Sequence, residues 1–260
     1  MTAVTIGGFL LLDTARPGRQ VGLIEAAAIQ AVAGIAVYGG LTWLIGRRIL
    51  RLEWRELGWA GRRDSWLGFR RGFLVAGALA VVALVAGLPA GSSWAMDGGA
   101  LGAYLERVAL LALVLLPPAF MEELAFRGLA VTAMARGIGR GPALVLTSVG
   151  FAAAHFNNPD VTPLGLGNIA LAGVFLGLTF FARGGIATAT GAHLGWNLLL
   201  AALAAPVSGL PFDIPWIDFH PGRPAWFTGG GFGPEGGILA TVALSIGSAL
   251  AVRWHFEEAQ

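Results

Sequence analysis

The sequence predicts an all-α fold, namely a polytopic transmembrane helix bundle of about seven spans around an intramembrane polar cavity. Hydrophobic residues make up 56% of the 260 residues and charged residues only 12%, whereas soluble domains carry about 25% charged residues. The mean hydropathy is +0.71. Apolar runs long enough to cross about 30 Å of hydrocarbon recur along the chain. We therefore expect residues 1–260 to form a single integral membrane domain.

Seven apolar runs define the predicted spans, since a helix rises about 1.5 Å per residue. They cover residues 21–46, 72–90, 103–135, 142–156, 168–183, 185–205 and 237–253. The connection between the first two spans holds eight arginines, whereas the next connection holds none. Basic residues favour the cytosolic side of a membrane. If successive connections alternate between the two sides of the membrane, 13 of the 17 arginines lie on the cytosolic side, which predicts an N-out, C-in orientation.

The arginine and cysteine contents indicate the source of the protein and exclude several kinds of site. Every basic residue is arginine and the chain holds 40 glycines, a composition that is typical of a GC-rich prokaryotic genome. We therefore expect the protein to lie in a prokaryotic cell membrane. In such a chain the arginine excess serves orientation in the lipid bilayer, and nucleic acid is not an expected partner. The absence of cysteine excludes disulfides, thiolate metal sites and a cysteine nucleophile.

Two connections have a distinctive composition. Residues 206–236 hold six prolines and the run Gly229 to Gly231, which predicts a long Pro/Gly-rich loop without regular elements on the outer face. Its aromatic residues could rest in the headgroup zone, where tryptophan is favoured, or cover the entrance to a cavity. The basic segment 47–71, which contains three tryptophans, is expected to lie on the membrane surface.

The third span contains two adjacent carboxylates inside an apolar stretch. Pro117 and Pro118 precede them and are expected to disrupt the helix, because proline removes backbone donors. Glu123 and Arg127 are four residues apart and can form an ion pair on one helix face. Glu122 is rotated by about 100° from Glu123, faces elsewhere and is the first candidate for a general base. Alternatively, both carboxylates form a solvated cap at the cytosolic boundary.

His155 ends the fourth span and is predicted to reach the depth of Glu122. A glycine-rich turn at 137–142 joins the third and fourth spans as an antiparallel hairpin. Glu122 and His155 are almost equally far from this turn, roughly 20 to 25 Å along their helices, so the two side chains can meet. Without this match His155 would be read as an interfacial residue.

His193 and Asn197 project from one face of the sixth span, because they are four residues apart. Gly191 and Gly195 allow a neighbouring helix to approach closely. An imidazole and a carboxamide on one face can donate two hydrogen bonds to an oxyanion. The alternative is a hydrogen-bonding pair between helices. His193 is only about 14 Å from its turn, so tilt or a different turn level must bring it to Glu122.

These three fragments, over about residues 101–200, resemble the type II CAAX prenyl endopeptidase family, which includes CAAX proteases and bacteriocin-processing enzymes. The similarity rests on Glu122-Glu123 followed by Arg127, Phe151 followed by His155, and His193 followed by Asn197, in that order. It implies an intramembrane glutamic-type endopeptidase in which Glu122 and His155 activate a water molecule. His193 and Asn197 would stabilise the oxyanion, and Glu123 and Arg127 would support the site.

The resemblance leaves the cofactor and the substrate open. The favoured mechanism needs no cofactor, but zinc held by Glu122, His155 and His193 is an alternative. No His-Glu-x-x-His helix is present, and Asn197 is a poor zinc ligand. A peptide, a bacteriocin precursor or a membrane-protein tail is the expected substrate. The other function classes are a non-proteolytic bacteriocin-immunity or scaffold protein, and a transporter that relays protons through these residues.

Overall fold

The computed structural model describes residues 20–96 and 98–258, and side chains within 31–96 and 98–254. The described chain is mostly helical, with one two-stranded sheet. Its α-helices are α1 Gln20–Leu41, α2 Arg62–Val85, α3 Leu101–Glu123, α4 Thr132–Ile138, α5 Arg140–Ala153, α6 Pro163–Phe180, α7 Ile186–Ala202, α8 Ala225–Thr228 and α9 Ile238–Glu258. Two π-helical segments, Thr42–Ile49 and Leu124–Val131, continue α1 and α3. Short 3₁₀ turns lie at Leu88–Ala90, Gly230–Phe232 and Pro234–Gly236.

Three helical stretches of the described residues are long and apolar enough to cross a membrane. They are Arg62–Ala90, Leu101–Ile138 and Pro163–Phe180, and Ile238–Trp254 is a shorter apolar helix. The helices in two other predicted spans are shorter: α5, in 142–156, has 14 residues, and α7, in 185–205, has 17. These helices are roughly 21 and 26 Å long. The chain is thus a helical membrane protein, and the count of seven spans stays a prediction.

The prolines of α3 do not break it, contrary to the prediction from sequence. Pro117 and Pro118 lie inside a continuous α-helix, and the irregularity comes later, in the π-helical segment Leu124–Val131. Helices in membranes tolerate proline because neighbouring groups satisfy the freed carbonyls. A π-helical segment widens the helix and changes the direction of the side chains that follow, and such segments often occur at functional sites. Glu122 and Glu123 end the regular part of the helix.

The connections group at two ends of the bundle. Strand β1, Ser93–Met96, pairs antiparallel with β2, Ile217–His220, so the second connection and the segment 206–236 lie at one end. At the other end, Glu56 forms an ion pair of 2.5 Å with Arg136. This grouping agrees with the predicted alternation. The orientation itself stays a prediction, and Arg16 and Arg19, two of the arginines placed outside, lie beyond the described residues.

Segment 206–236 is more ordered than its composition predicted. It contains β2, the short helix α8 and two 3₁₀ turns instead of one irregular loop. The backbone of Ile217–His220 pairs with β1, a contact between positions more than 100 residues apart that no local pattern reveals. The second half of the basic segment 47–71 is also regular, because α2 begins at Arg62.

Helices α2 and α7 pack through glycine, as predicted for a close helix approach. A Cβ atom added to Gly191 would lie 2.2 Å from the backbone oxygen of Phe69, and one added to Gly195 would lie 2.3 Å from that of Phe73. Such distances leave no room for any side chain. The helix that carries His193 and Asn197 is therefore held against α2 by backbone contact.

The substitution Gly191→Ala is expected to lower the free energy of unfolding by about 1–3 kcal/mol, because the added methyl group would push α7 away from α2. Thermal unfolding of the purified protein in detergent measures the change. Gly167→Ala in α6 is the matched control, since nothing lies within 4 Å of a Cβ atom at that position. Equal melting temperatures for the two variants would contradict the proposed backbone contact.

Candidate active site

The carboxylates at the end of α3 are both buried. The relative exposure of Glu122 is 1%, and that of Glu123 is 0%. Arg127 is equally buried, and its Nη1 lies 3.2 Å from Oε1 of Glu123. The ion pair expected from the spacing is therefore formed. The alternative of a solvated cap is wrong for the described structure, because neither carboxylate reaches the surface.

Arg127, which follows α3, contacts both α5 and α6. Its Nη2 donates a hydrogen bond of 3.2 Å to the backbone oxygen of Gly173 in α6. Its guanidinium lies over the ring of Phe151 in α5, 4.4 Å from the ring centroid. A buried cation with a carboxylate, a carbonyl and an aromatic face around it is well compensated. Arg127 was counted among the cytoplasmic arginines from sequence, but it is an internal structural residue.

His193 lies between the two glutamates. Its Nδ1 is 2.8 Å from Oε1 of Glu123, and its Nε2 is 3.8 Å from Oε2 of Glu122. Because a carboxylate accepts hydrogen bonds, we assign a proton to Nδ1. His193 thus reaches both carboxylates despite the difference in depth expected from the helix lengths. His193 is thus joined to the supporting pair as well as to the candidate base.

His155 follows the end of α5 and is 2% exposed. Its Nδ1 lies 2.7 Å from the backbone oxygen of Phe151, which makes this nitrogen the donor and leaves Nε2 as the available nitrogen. The Phe151 ring lies 4.7 Å from the His155 ring and 6.0 Å from the His193 ring. Glu122 interacts electrostatically with both imidazoles. The hairpin therefore brings His155 to the site, as its distance from the turn predicted.

Two small voids meet at His193 and Asn197. One, of about 30 Å³, is also lined by Phe151, His155 and Trp196. The other, of about 10 Å³, adjoins Glu122. The first has room for ordered water, which needs roughly 10–15 Å³ for its centre, but neither could hold a peptide. Asn197 is half-buried and makes no side-chain hydrogen bond within the described residues, so its amide is available at both voids.

Segment 206–236 covers this site. Val207, Leu210 and Phe212 line the void next to Glu122, and Ser208 lines the void next to His155. Phe212 therefore covers a cavity, which is one of the two roles expected for the aromatic residues of this segment. The voids lie at the end of the bundle that carries the β-sheet.

Glu235 is a third buried carboxylate at the site, and sequence reasoning missed it. It lines the void next to His155, and its carboxylate accepts hydrogen bonds from Nε1 of Trp196 at 3.2 Å and from Oγ of Ser208 at 3.0 Å. The backbone N–H of Ser208 also donates to it. Burial raises the pKa of Glu235, and the Ser208 hydrogen bonds oppose this shift. An acid in a Pro/Gly-rich segment carries no sequence signal of burial.

Asn158 and Asn168 extend the polar contacts around Glu235. The amide of Asn158 donates a hydrogen bond of 2.9 Å to the backbone oxygen of Ser208. Asn168 in α6 donates to the backbone oxygens of Glu235 and Gly237 at 2.8 and 2.9 Å. These bonds join the covering segment to α6 and to the connection between α5 and α6.

A catalytic zinc site needs three protein ligands and an open coordination position. Within the described residues, no group of three histidine, cysteine, aspartate or glutamate side chains is close enough to hold a metal ion. The set considered from sequence, Glu122, His155 and His193, therefore does not form such a group.

Comparison with known proteins is consistent with this site. Residues 104–199 match the model of one protein family, described as Type II CAAX prenyl endopeptidase Rce1-like. No curated protein and no solved structure matches the chain. The matched range contains Glu122, Glu123, Arg127, His155, His193 and Asn197. Residues 104–199 of this helical membrane protein are thus similar to a protease family, the Rce1-like type II CAAX prenyl endopeptidases.

Proposed function

We propose that this protein is an intramembrane endopeptidase that hydrolyses peptide bonds with a water molecule activated by Glu122 and His155. The observation that carries the proposal is the convergence of Glu122, two imidazoles and a carboxamide on two neighbouring small voids, the larger of which has room for water. Ionisable groups inside a membrane are costly, so their convergence favours a chemical role. The match of residues 104–199 to a protease-family model supports the same reaction class.

In the proposed reaction, water lies between Glu122 and His155. Glu122 takes a proton from the water while the water oxygen forms a bond to the peptide carbonyl carbon. The carbonyl π electrons move to oxygen and give a tetrahedral oxyanion. The amine then leaves as the C–N bond breaks, and the proton held by Glu122 moves to the leaving nitrogen. His155 orients the water through Nε2, because its Nδ1 is bound to the Phe151 carbonyl.

His193 and Asn197 stabilise the oxyanion in this proposal. His193 can donate from Nε2 to the oxyanion while its Nδ1 donates to Glu123 only when both ring nitrogens carry a proton. Glu123 and Arg127 therefore act as positioning residues. Because the voids admit no peptide, the covering segment at Val207 to Phe212 must move before a substrate binds. A peptide or a membrane-protein tail is the proposed substrate.

Cleavage of a quenched peptide library by the full-length protein in nanodiscs tests the proposal. The wild-type protein is expected to cleave some library members, His155→Ala to lose the activity, and a chelator to have no effect. Loss of activity with chelator, restored by added zinc, would overturn the metal-free mechanism. If the same residues were instead needed for bacteriocin resistance in cells with no cleavage product, the protein would be an immunity protein.

Asn197→Ala is expected to reduce kcat by about 10²- to 10³-fold with little change in KM, because it removes a donor that acts mainly on the oxyanion. Steady-state kinetics on the best library peptide measure the two constants. His220→Ala, an exposed histidine on β2, is the control and should match the wild type. A change in KM alone would assign Asn197 to ground-state binding.

A further inference from the structure

A second cavity lies at the opposite end of the bundle from the β-sheet and shares no lining residue with the voids at His193. Its volume is about 660 Å³. The turn before α2, the end of α4, the start of α5 and the turn before α7 surround it. We call it the basic cleft, because four arginines line it together with two carboxylates: Arg55, Arg136, Arg140, Arg183, Glu56 and Asp64.

The charges of the basic cleft are only partly compensated. Glu56 pairs with Arg136 at 2.5 Å, and Asp64 pairs with Arg183 at 3.1 Å. A hydrogen bond from the backbone N–H of Glu53 and the Arg136 guanidinium lower the pKa of Glu56, which keeps it ionised. Among the described residues Arg55 and Arg140 have no acidic partner. Four cations against two anions leave an excess of two positive charges.

Aromatic side chains form the other wall of the basic cleft. Trp59 lines it, is 40% exposed and packs edge-on against Trp54 and Phe120. The Arg140 guanidinium lies over the Phe181 ring at 5.3 Å. Exposed tryptophans are typical of the membrane–water interface. The cleft thus combines cationic groups with an apolar wall that includes an exposed tryptophan.

We propose that the basic cleft binds a phosphate-bearing anion, supplied in the membrane by the headgroup of an anionic phospholipid. Arg55 and Arg140 would donate to the phosphate oxygens in the paired geometry that guanidinium groups favour. Trp59 would contact the glycerol and the first part of the acyl chains. Basic pockets between membrane helices bind anionic headgroups in this way, and about 660 Å³ is ample for a headgroup.

Native mass spectrometry of the full-length protein tests the site. Retention of phosphatidylglycerol is compared with that of phosphatidylcholine for the wild type and for the double variant Arg55→Gln/Arg140→Gln. The matched control is Arg48→Gln/Arg63→Gln, which removes two exposed charges from the same basic segment outside the cleft. We expect phosphatidylglycerol to be retained preferentially and its affinity to fall about tenfold or more in the first variant only.

Equal losses of affinity in the two double variants would overturn the proposal, because general surface charge would then explain retention. Absence of any preference for phosphatidylglycerol would overturn it as well. Glycerol 3-phosphate is titrated separately in lipid-free detergent, with the melting temperature as the readout. Stabilisation that depends on Arg55 and Arg140 would support the site with a soluble phosphate as its ligand. None of these readouts depends on peptide cleavage.

Discussion

Replacing Glu122 by glutamine is expected to reduce the kcat of peptide cleavage by about 10²- to 10⁴-fold, the range typical for loss of a general base. Glutamine has nearly the same shape and can fill the same buried position, but its carboxamide cannot take a proton from water. The fold should therefore be retained while the chemistry is lost. Cleavage of a quenched peptide in nanodiscs gives the rate, and thermal unfolding of the same sample tests the fold.

Glu106→Gln is the matched control for this experiment. Glu106 lies on the same helix, α3, but its side chain is exposed and lines neither void. We expect wild-type kinetics. If Glu122→Gln cleaved peptide at the wild-type rate, Glu122 would not be the base. If the variant lost activity and also unfolded at a lower temperature, the rate could not be assigned to proton transfer, and Glu122→Asp would then be required to restore partial activity.

Replacing Arg127 by methionine is expected to destabilise the protein by about 3–5 kcal/mol, because it removes one partner of a buried ion pair. The Glu123 carboxylate would lose the guanidinium at 3.2 Å, and the backbone oxygen of Gly173 would lose its donor. Methionine retains much of the packing against Phe151. Thermal unfolding measures the loss, which should also reduce peptide cleavage because Glu123 positions His193.

A double substitution separates the charge effect from the packing effect. Adding Glu123→Gln to Arg127→Met removes the uncompensated carboxylate, so the double variant should be more stable than Arg127→Met alone. Arg136→Met is the control, because its ion pair with Glu56 is exposed and should contribute little. If Arg127→Met and Arg136→Met changed the melting temperature equally, the buried pair would not be the main contribution.

Interactions within one or two helical turns were predictable from the sequence. The ion pair between Glu123 and Arg127 follows from a spacing of four residues, and so does the shared face of His193 and Asn197. The glycines that allow α7 to approach α2 were likewise readable from their spacing. The hairpin geometry predicted that Glu122 and His155 could meet, because a short turn at Gly139 joins the two helical arms that carry them. Each of these features depends only on helix periodicity and length.

The expectation of a break at Pro117 was wrong for a reason that local chemistry does not reveal. Proline removes a donor, but whether the helix breaks depends on what surrounds the freed carbonyls. In this bundle the helix continues to Glu123 and widens only afterwards. Similarly, proline and glycine in segment 206–236 predicted irregular structure, whereas pairing with β1 orders part of it.

The sequence by itself determined the helical membrane class, the three site fragments and their internal pairings, because apolar run length and helix periodicity are local properties. The tertiary structure alone decided that His193 bridges Glu122 and Glu123, that Glu235 lies buried beside Trp196, and that Phe212 covers the site. These contacts join side chains that are far apart in the chain. They depend on helix crossing and on the path of the covering segment, which follow from packing of the whole bundle.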